Sequence, residues 1–345
     1  MKKFLLKLIS LSLPVLLILA GVNYFGDGAK LFDNDYEKDI AAIIEQGKYV
    51  TNIKNYDERL LQKQLIKARK VCPNVMVTGS SRTMLINSEL VKDSSMVNNS
   101  VSGASIEDIV SIYQMYKEEG LLPAKVIIGV DPWTFNENNE QERWHSIANS
   151  YYRFHNLNKD YPTNSKFDKL KQLFSFTYFQ SSVTSLPKIV LGTNEPRATT
   201  NKFNATNTRL TDGSLIYGEQ MRDLSNEKVQ DIVRESLLDD LYGLKNFDAV
   251  STTIWNEFVK LVEDMQSHGI EVEFLLAPYH PQVYTKIKED YPQVLKAEAM
   301  VKNFADKTNI TIYGSFNPKK AGLTENYFYD GMHCKQEGIK LILTQ

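Results

Sequence analysis

Val75-Met76-Val77-Thr78-Gly79-Ser80-Ser81-Arg82 is the stretch that decides how this chain is read. Its apolar run carries the signal of a short buried strand, Gly79 closes it, and a helical pattern follows. Outward from this unit the same alternation recurs. Val97 opens a second short segment ending in Asn98-Asn99. Ser105, with Asp108 three residues on, makes an acidic capping box for a helix whose apolar side is Ile109, Ile112, Tyr113 and Tyr116. Lys125 to Val130 reads as a strand buried on both faces. Ile254, Phe258, Leu261, Val262 and Met265 recur at helical spacing, and Gly269 ends that helix. A strand at Val272 to Ala277, a helix at 283–304, a strand at Ile310 to Tyr313 and a short helix at Gln336 to Leu343 complete the pattern. Strand and helix in alternation with apolar strands predict an α/β layer fold on a mostly parallel sheet. Such a sheet gathers the loops after its strands around one cleft. Gly79-Ser80-Ser81, Asp131 and Pro278-Tyr279-His280 all follow apolar strands and are therefore sent to one edge.

Two regions depart from the alternation. Residues 30–73 are charged and helical in pattern, with Tyr36, Ile40, Ile43 and Ile44 on one side, and read as a stalk or a packed helix. Residues 136–250, rich in Asn, Thr, Ser, Tyr and Phe, read as a large insertion, helical at 167–189 and 225–243. The insertion is either a solvated excursion or a lid that shapes the substrate site. The main domain then spans 74–345, interrupted by this insertion.

A chain of 345 residues with 40 basic and 42 acidic side chains has a net charge of −2, which argues against a nucleic-acid binder. The informative charge pattern is local. Lys2, Lys3 and Lys7 precede or flank the apolar stretch Leu8 to Val22, and no acid occurs before Asp27. Fifteen residues make about 22 Å of helix, and counting from Phe4 brings the segment near the roughly 30 Å of a bilayer core. With its basic flank inside, 1–29 is expected to be a transmembrane signal-anchor or a cleaved signal peptide. The expected location is the cell membrane, single-pass with the C-terminal domain extracytoplasmic, or secreted if the segment is cleaved. Cys72 and Cys334 are placed at opposite ends of the sheet and are expected to be two separate, largely buried thiols.

The chemistry is read from three short groups. A serine hydroxyl becomes a nucleophile when a neighbouring base takes its proton, a carboxylate orients that base, and fixed donors receive the oxyanion. Gly79-Ser80-Ser81-Arg82 turns from strand to helix and exposes Ser81 with its own N–H. Gly103 precedes a helix and brings a second backbone donor close. Tyr329-Asp330-Gly331-Met332-His333 places a carboxylate three residues before an imidazole.

On these residues the chain resembles a divergent member of the SGNH/GDSL hydrolase superfamily. Within it the likeness is to the membrane-anchored cell-envelope branch that includes the D-alanyl-lipoteichoic acid biosynthesis protein DltD and alginate O-acetylation proteins. The resemblance implies a three-layer α/β/α fold with Ser81 as nucleophile, Ser80 in the place of the usual Asp, and Asp330 and His333 completing the triad. It implies an oxyanion hole made by the N–H groups of Ser81 and Gly103. The third block of the superfamily, Gly-x-Asn-Asp, is replaced by Gly129-Val130-Asp131-Pro132. An ionised Asp131 offers no donor to an oxyanion. The implied activity is serine-dependent acyl transfer or ester hydrolysis on an extracytoplasmic polysaccharide or cell-envelope polymer, acetyl first and D-alanyl second, with a membrane acyl-donor protein as partner. The alternative is a non-catalytic envelope assembly or glycan-binding protein of the same fold.

Further candidates surround these. Arg82 either anchors an anionic substrate or pairs with Asp131. Trp133 and Phe135 either stack on a sugar or pack. Tyr279 and His280 are candidates to line an acceptor site, with His280 as a reserve base, and Arg143, Trp144 and His145 form a cluster without an assigned task. The five histidines, at 145, 155, 268, 280 and 333, lack metal-ligand spacing, and no phosphate loop is present. No metal and no cofactor are expected.

Overall fold

A computed structural model describes residues 2–27, 35–161, 170–171, 173–190 and 195–344. The start of the 30–73 segment and residues 162–169, 172 and 191–194 of the insertion lie outside the described residues. In chain order the principal elements are α1 (Lys2–Gly26), α2 (Tyr36–Glu45), β1 (Tyr49–Thr51), α3 (Glu58–Ala68), β2 (Val75–Thr78), β3 (Val97–Asn98), α4 (Ile106–Glu118) and β4 (Lys125–Gly129). There follow α5 (Ala148–Phe154), α6 (Phe176–Val190), β5 (Arg197–Thr199), β6 (Thr208–Arg209), β7 (Leu215–Ile216), α7 (Asn226–Ser236) and α8 (Thr252–Ser267). The chain continues through β8 (Glu271–Leu276), α9 (Pro281–Asp290), α10 (Pro292–Thr308), β9 (Thr311–Gly314) and α11 (Gln336–Leu343).

The main sheet has the order β3-β2-β4-β8-β9, and every neighbouring pair in it is parallel. Side chains alternate across it. Met76, Val126, Ile128 and Phe274 pack under α4, α8 and α10, while Val75, Val77, Ile127 and Leu275 face α11 and the turn after Ser81. Burial on both sides explains why the strands read as unbroken apolar runs. Each fully buried Val, Leu, Ile or Phe contributes roughly 1.5–3 kcal/mol, so these two faces hold the fold. The result is a three-layer α/β/α arrangement.

A second sheet, β5-β1-β6-β7, is antiparallel and joins the segment before the main domain to the insertion. Val50 of β1 is buried with Tyr36, Ile40 and Leu61 in a small core of α2 and α3. On the insertion side, the Leu215 N–H donates to the Met84 carbonyl at 2.8 Å and its side chain joins the main core. Residues from 229 to 247 add Val229, Val233, Leu241, Leu244 and Phe247 to the other face of the core.

Three expectations are corrected. Among the described residues no helix is long and apolar enough to cross a membrane. The continuous run of described side chains in α1, from Ser10 to Gly26, includes Ser10, Ser12, Pro14 and Asn23. Its last turn is docked on protein, where Asn23 Nδ2 donates to the carbonyls of Leu173 (2.8 Å) and Ser175 (3.0 Å). A transmembrane signal-anchor, membrane association through the N-terminus and kinship with a membrane-anchored branch are therefore withdrawn. The single-pass placement rested on the same segment and falls with it. Second, the helix expected at 283–304 is two helices. Pro292 disfavours helical geometry in the residue before it, and Tyr291 sits at φ −127°, ψ 63°. Third, both cysteines are free, but Cys72 is exposed and only Cys334 is buried.

Candidate active site

The turn after β2 is built by short-range bonds. Gly79 has φ +150°, and a Cβ there would stand 3.0 Å from the backbone of Gly129 on the neighbouring strand, so only glycine fits. The Ser80 carbonyl accepts from Thr83 N–H (3.1 Å) and Thr83 Oγ1 (2.9 Å), winding 80–83 into a tight turn. Asn98 Nδ2 pins that turn through the carbonyls of Thr83 and Ile86, both at 2.8 Å. Ser80 is buried inside it, and Ser81 is left half-buried at the sheet edge.

Ser81 Oγ lies 2.9 Å from His333 Nε2, and His333 Nδ1 lies 2.7 Å from Asp330 Oδ2. The second carboxylate oxygen, Asp330 Oδ1, accepts the N–H groups of Met332 and His333, each at 2.8 Å. Burial works to raise the Asp330 pKa. The His333 hydrogen bond and charge and the two N–H donors outweigh it and hold the carboxyl below the usual range. Asp330 thus stays ionised and fixes the ring. An Nδ1–H bonded to Asp330 leaves Nε2 free to accept the Ser81 proton.

Backbone N–H groups for an oxyanion are also present. Neither Ser81 N–H nor Gly103 N–H donates to a protein acceptor among the described residues. Gly103 has φ +54°, a conformation that favours glycine, and sits against the side-chain ends of Tyr242, Arg143 and Gln141. Its carbonyl is held by Gln141 Nε2 at 2.8 Å. The adjoining Ser102 is clamped from α3. Glu58 accepts both its N–H and its Oγ, and Arg59 Nη2 donates to its carbonyl at 3.0 Å.

Arg82 and Asp131 are bonded to one another. Arg82 Nη1 donates to Asp131 Oδ1 at 2.8 Å, with both side chains almost fully buried. Nε reaches the Met332 carbonyl at 3.2 Å, Nη2 bonds the Ala277 carbonyl, and the guanidinium stacks on Tyr279 at 4.1 Å. Burial opposes the Arg82 charge, but Tyr279 and Asp131 hold it protonated. Arg82 therefore ties the Ser81 turn to the loop that carries His333, and Asp131 is held in the buried ion pair and lines neither cavity described below. Tyr279 and His280 are also buried behind this ion pair and line neither cavity described below. The ring of His280 accepts the Gln282 N–H at Nδ1 (3.3 Å), and its Nε2 has no partner among the described residues. Trp133 is buried with Nε1 on the Ala104 carbonyl (3.2 Å) and one edge in the site, whereas Phe135 packs in the core against Phe258. Arg143 stands on the rim, and Trp144 and His145 stack with Tyr151 and Tyr161 elsewhere.

Two cavities of about 430 and 420 Å³ meet at Ser81, Ser102, Asp330 and His333. The first is walled by Trp133, Leu241, Tyr242 and Val283; the second by Tyr56, Glu58, Asn207 and Tyr217. The Tyr217 ring meets His333 edge-on at 6.3 Å. Glu58, Asn207, Tyr217, Leu241 and Tyr242 were not singled out from sequence. They come from the N-terminal arm and the insertion, and no local motif links them to Ser81. Among the described residues no cluster of His, Cys, Asp and Glu is arranged to hold a metal ion.

No protein-family model matches the chain, and no curated protein matches it. Among solved structures it is similar to a candidate acylhydrolase from Bacteroides fragilis, with 12% identity, a TM-score of 0.40, and coverage of 85% of this chain and 95% of that one. It is also similar to a GDSL-like lipase from Bacteroides thetaiotaomicron, with 11% identity, a TM-score of 0.35, and coverage of 78% and 83%. Likeness at this level carries no argument about activity, which rests on the residues themselves.

Proposed function

We propose that the chain is a serine-dependent acyltransferase or esterase acting on an O-acyl ester of a polysaccharide or similar hydroxyl-rich molecule, with acetyl the smallest acyl group it would take. The observation that carries this reading is the relay Ser81–His333–Asp330, at 2.9 and 2.7 Å, beside two undonated backbone N–H groups. Ser81 Oγ attacks the ester carbonyl carbon as His333 Nε2 takes its proton. The N–H groups of Ser81 and Gly103 receive the oxyanion, and Asp330 stabilises the imidazolium. The carbonyl reforms, the C–O bond to the alcohol breaks, and His333 returns the proton to the departing oxygen. Water or an acceptor hydroxyl then attacks the acyl-serine, gives its proton to His333, and Ser81 regains a proton as its ester bond breaks. Residues 74–345, interrupted by 136–250, are the catalytic unit in this reading.

Labelling with a small fluorophosphonate, mapped by peptide mass, tests it. The expected result is a single adduct on Ser81, absent in Ser81→Ala, and slowed about 10³–10⁴-fold in Asp330→Asn, whose ring loses its fixed tautomer. A folded protein that takes no label would replace catalysis with a glycan-binding role for the same cleft.

A further inference from the structure

The two cavities differ in chemistry although they share the nucleophile. We infer that they divide an ester substrate: the cavity walled by Trp133, Leu241 and Val283 takes an acyl chain longer than acetyl, and the one walled by Tyr56, Asn207 and Tyr217 takes a neutral, hydroxyl-rich alcohol. This rests on the acyl-serine mechanism above and adds the direction in which each half of the ester lies.

Gly103 fixes the direction. It lines the first cavity and not the second, so an ester carbonyl whose oxygen meets the Gly103 N–H has its carbon over Ser81 on that side. The walls continuing from there are apolar and rigid. Leu241 and Val283 are buried, and Trp133 is fixed by its bond to Ala104 and its edge contact with Tyr242. Arg143, Asp239 and Asp240 line this cavity as exposed residues and Asp330 lines it beside His333, so its apolar wall is the part formed by Trp133, Leu241 and Val283. A volume of about 430 Å³ is far more than a two-carbon acyl group fills. Burying an added methylene there contributes about 0.8 kcal/mol, so a longer chain gains at each step.

The second cavity has the opposite character. Asn207 Oδ1 accepts the Gly218 N–H at 2.9 Å, which leaves its Nδ2 hydrogens without a protein acceptor among the described residues. The Tyr217 hydroxyl has no protein partner there either, and its ring stands beside His333, next to where the alcohol oxygen gains or loses a proton. Free donors flanked by aromatic rings suit a sugar or polyol. Glu58, which also lines this cavity, bears a carboxylate and disfavours an anionic acceptor. This cavity serves the leaving alcohol in the first half of the reaction and the acceptor in the second.

The test uses the whole chain and p-nitrophenyl esters from acetyl to octanoyl, with glucose as acceptor. The expected kcat/KM for the octanoyl ester exceeds that for acetyl by about tenfold or more, and Leu241→Trp reverses this preference by filling the cavity. In Asn207→Ala and Tyr217→Phe, the ratio of glucose ester to free acid formed from the acyl-enzyme falls about three- to tenfold, the loss of one hydrogen bond. An acetyl preference that Leu241→Trp leaves unchanged overturns the acyl assignment. A product ratio identical in all three proteins, or one favouring glucuronate over glucose, overturns the alcohol assignment. A burst of p-nitrophenolate with acyl-Ser81 in the mass spectrum, accompanying either failure, would keep the serine mechanism standing; no acyl-Ser81 with any ester would overturn both.

Discussion

At the scale of single residues, His280 separates legible from illegible chemistry. Its position after a strand and before Pro281 made it a candidate for the site, yet it is fully buried and its Nε2 has no partner among the described residues. Burial disfavours its charged form and lowers its pKa below the ordinary value, and Glu325 and Asp330 offset this only in part. A group whose folded pKa is depressed adds stability that is present above its unfolded pKa, about 6.5, and is lost as pH falls through the folded value. The melting temperature should therefore fall from about pH 7 to about pH 5, and His280→Asn, which keeps an acceptor for the Gln282 N–H, should flatten that slope. Equal slopes in the two proteins would show that the loss comes from other groups. The meeting of Ser81, Asp330 and His333 was readable because each belongs to a motif whose geometry is local. The Asp330–His333 contact spans three residues, and the turn at Ser81 is made within five. The partner of Arg82 was readable only as one of two options, since choosing Asp131 requires knowing that β2 and β4 are neighbours.

At the scale of elements, the strands of the main sheet were legible because burial on both faces leaves a sequence signal that does not depend on neighbours. The split at Tyr291-Pro292 was missed although Pro292 marks it, because an apolar period continues through Val294, Ala297 and Val301. The role of α3 was not legible at all. Its first turn supplies Arg59, which bonds Asp108 through Nε (2.9 Å) and Nη2 (2.8 Å) with both groups buried. Asp108 in turn accepts the Ser105 N–H at the start of α4 at 2.9 Å. Arg59→Met leaves that carboxylate buried and unpaired, which costs about 3–5 kcal/mol. Urea unfolding should show a loss of this size together with slower Ser81 labelling, because Arg59 also holds the Ser102 carbonyl. A loss under about 1 kcal/mol, the range of an exposed pair, would mean that Asp108 finds other partners.

For the whole molecule, the α/β layering followed from the sequence, but the small antiparallel sheet did not. Its strands are two or three residues long, too short for a pattern, and they pair residues 49–51 with 197–199 and 208–209, far apart in the sequence. That pairing brings Tyr56, Glu58, Asn207 and Tyr217 to Ser81. The two cysteines offer a measurement on the same scale. Cys72 is exposed, whereas Cys334 is buried, and burial pushes its thiol pKa up to about 12. Since the thiolate is the reactive form, native protein should be alkylated by iodoacetamide at Cys72 alone, and Cys334 should react only as the molecule unfolds. Equal rates at the two sites in native protein would contradict the packing around the His333 loop.

The hydrogen bond between Ser81 and His333 joins residues 252 positions apart. Contacts of such separation form late, because the intervening chain must first surrender its freedom. A chain still being synthesised holds its serine without a base until the last strand and the loop after it have docked. Under the proposed serine mechanism, Ser81 therefore gains its base only at the end of folding, and fluorophosphonate labelling would mark that step.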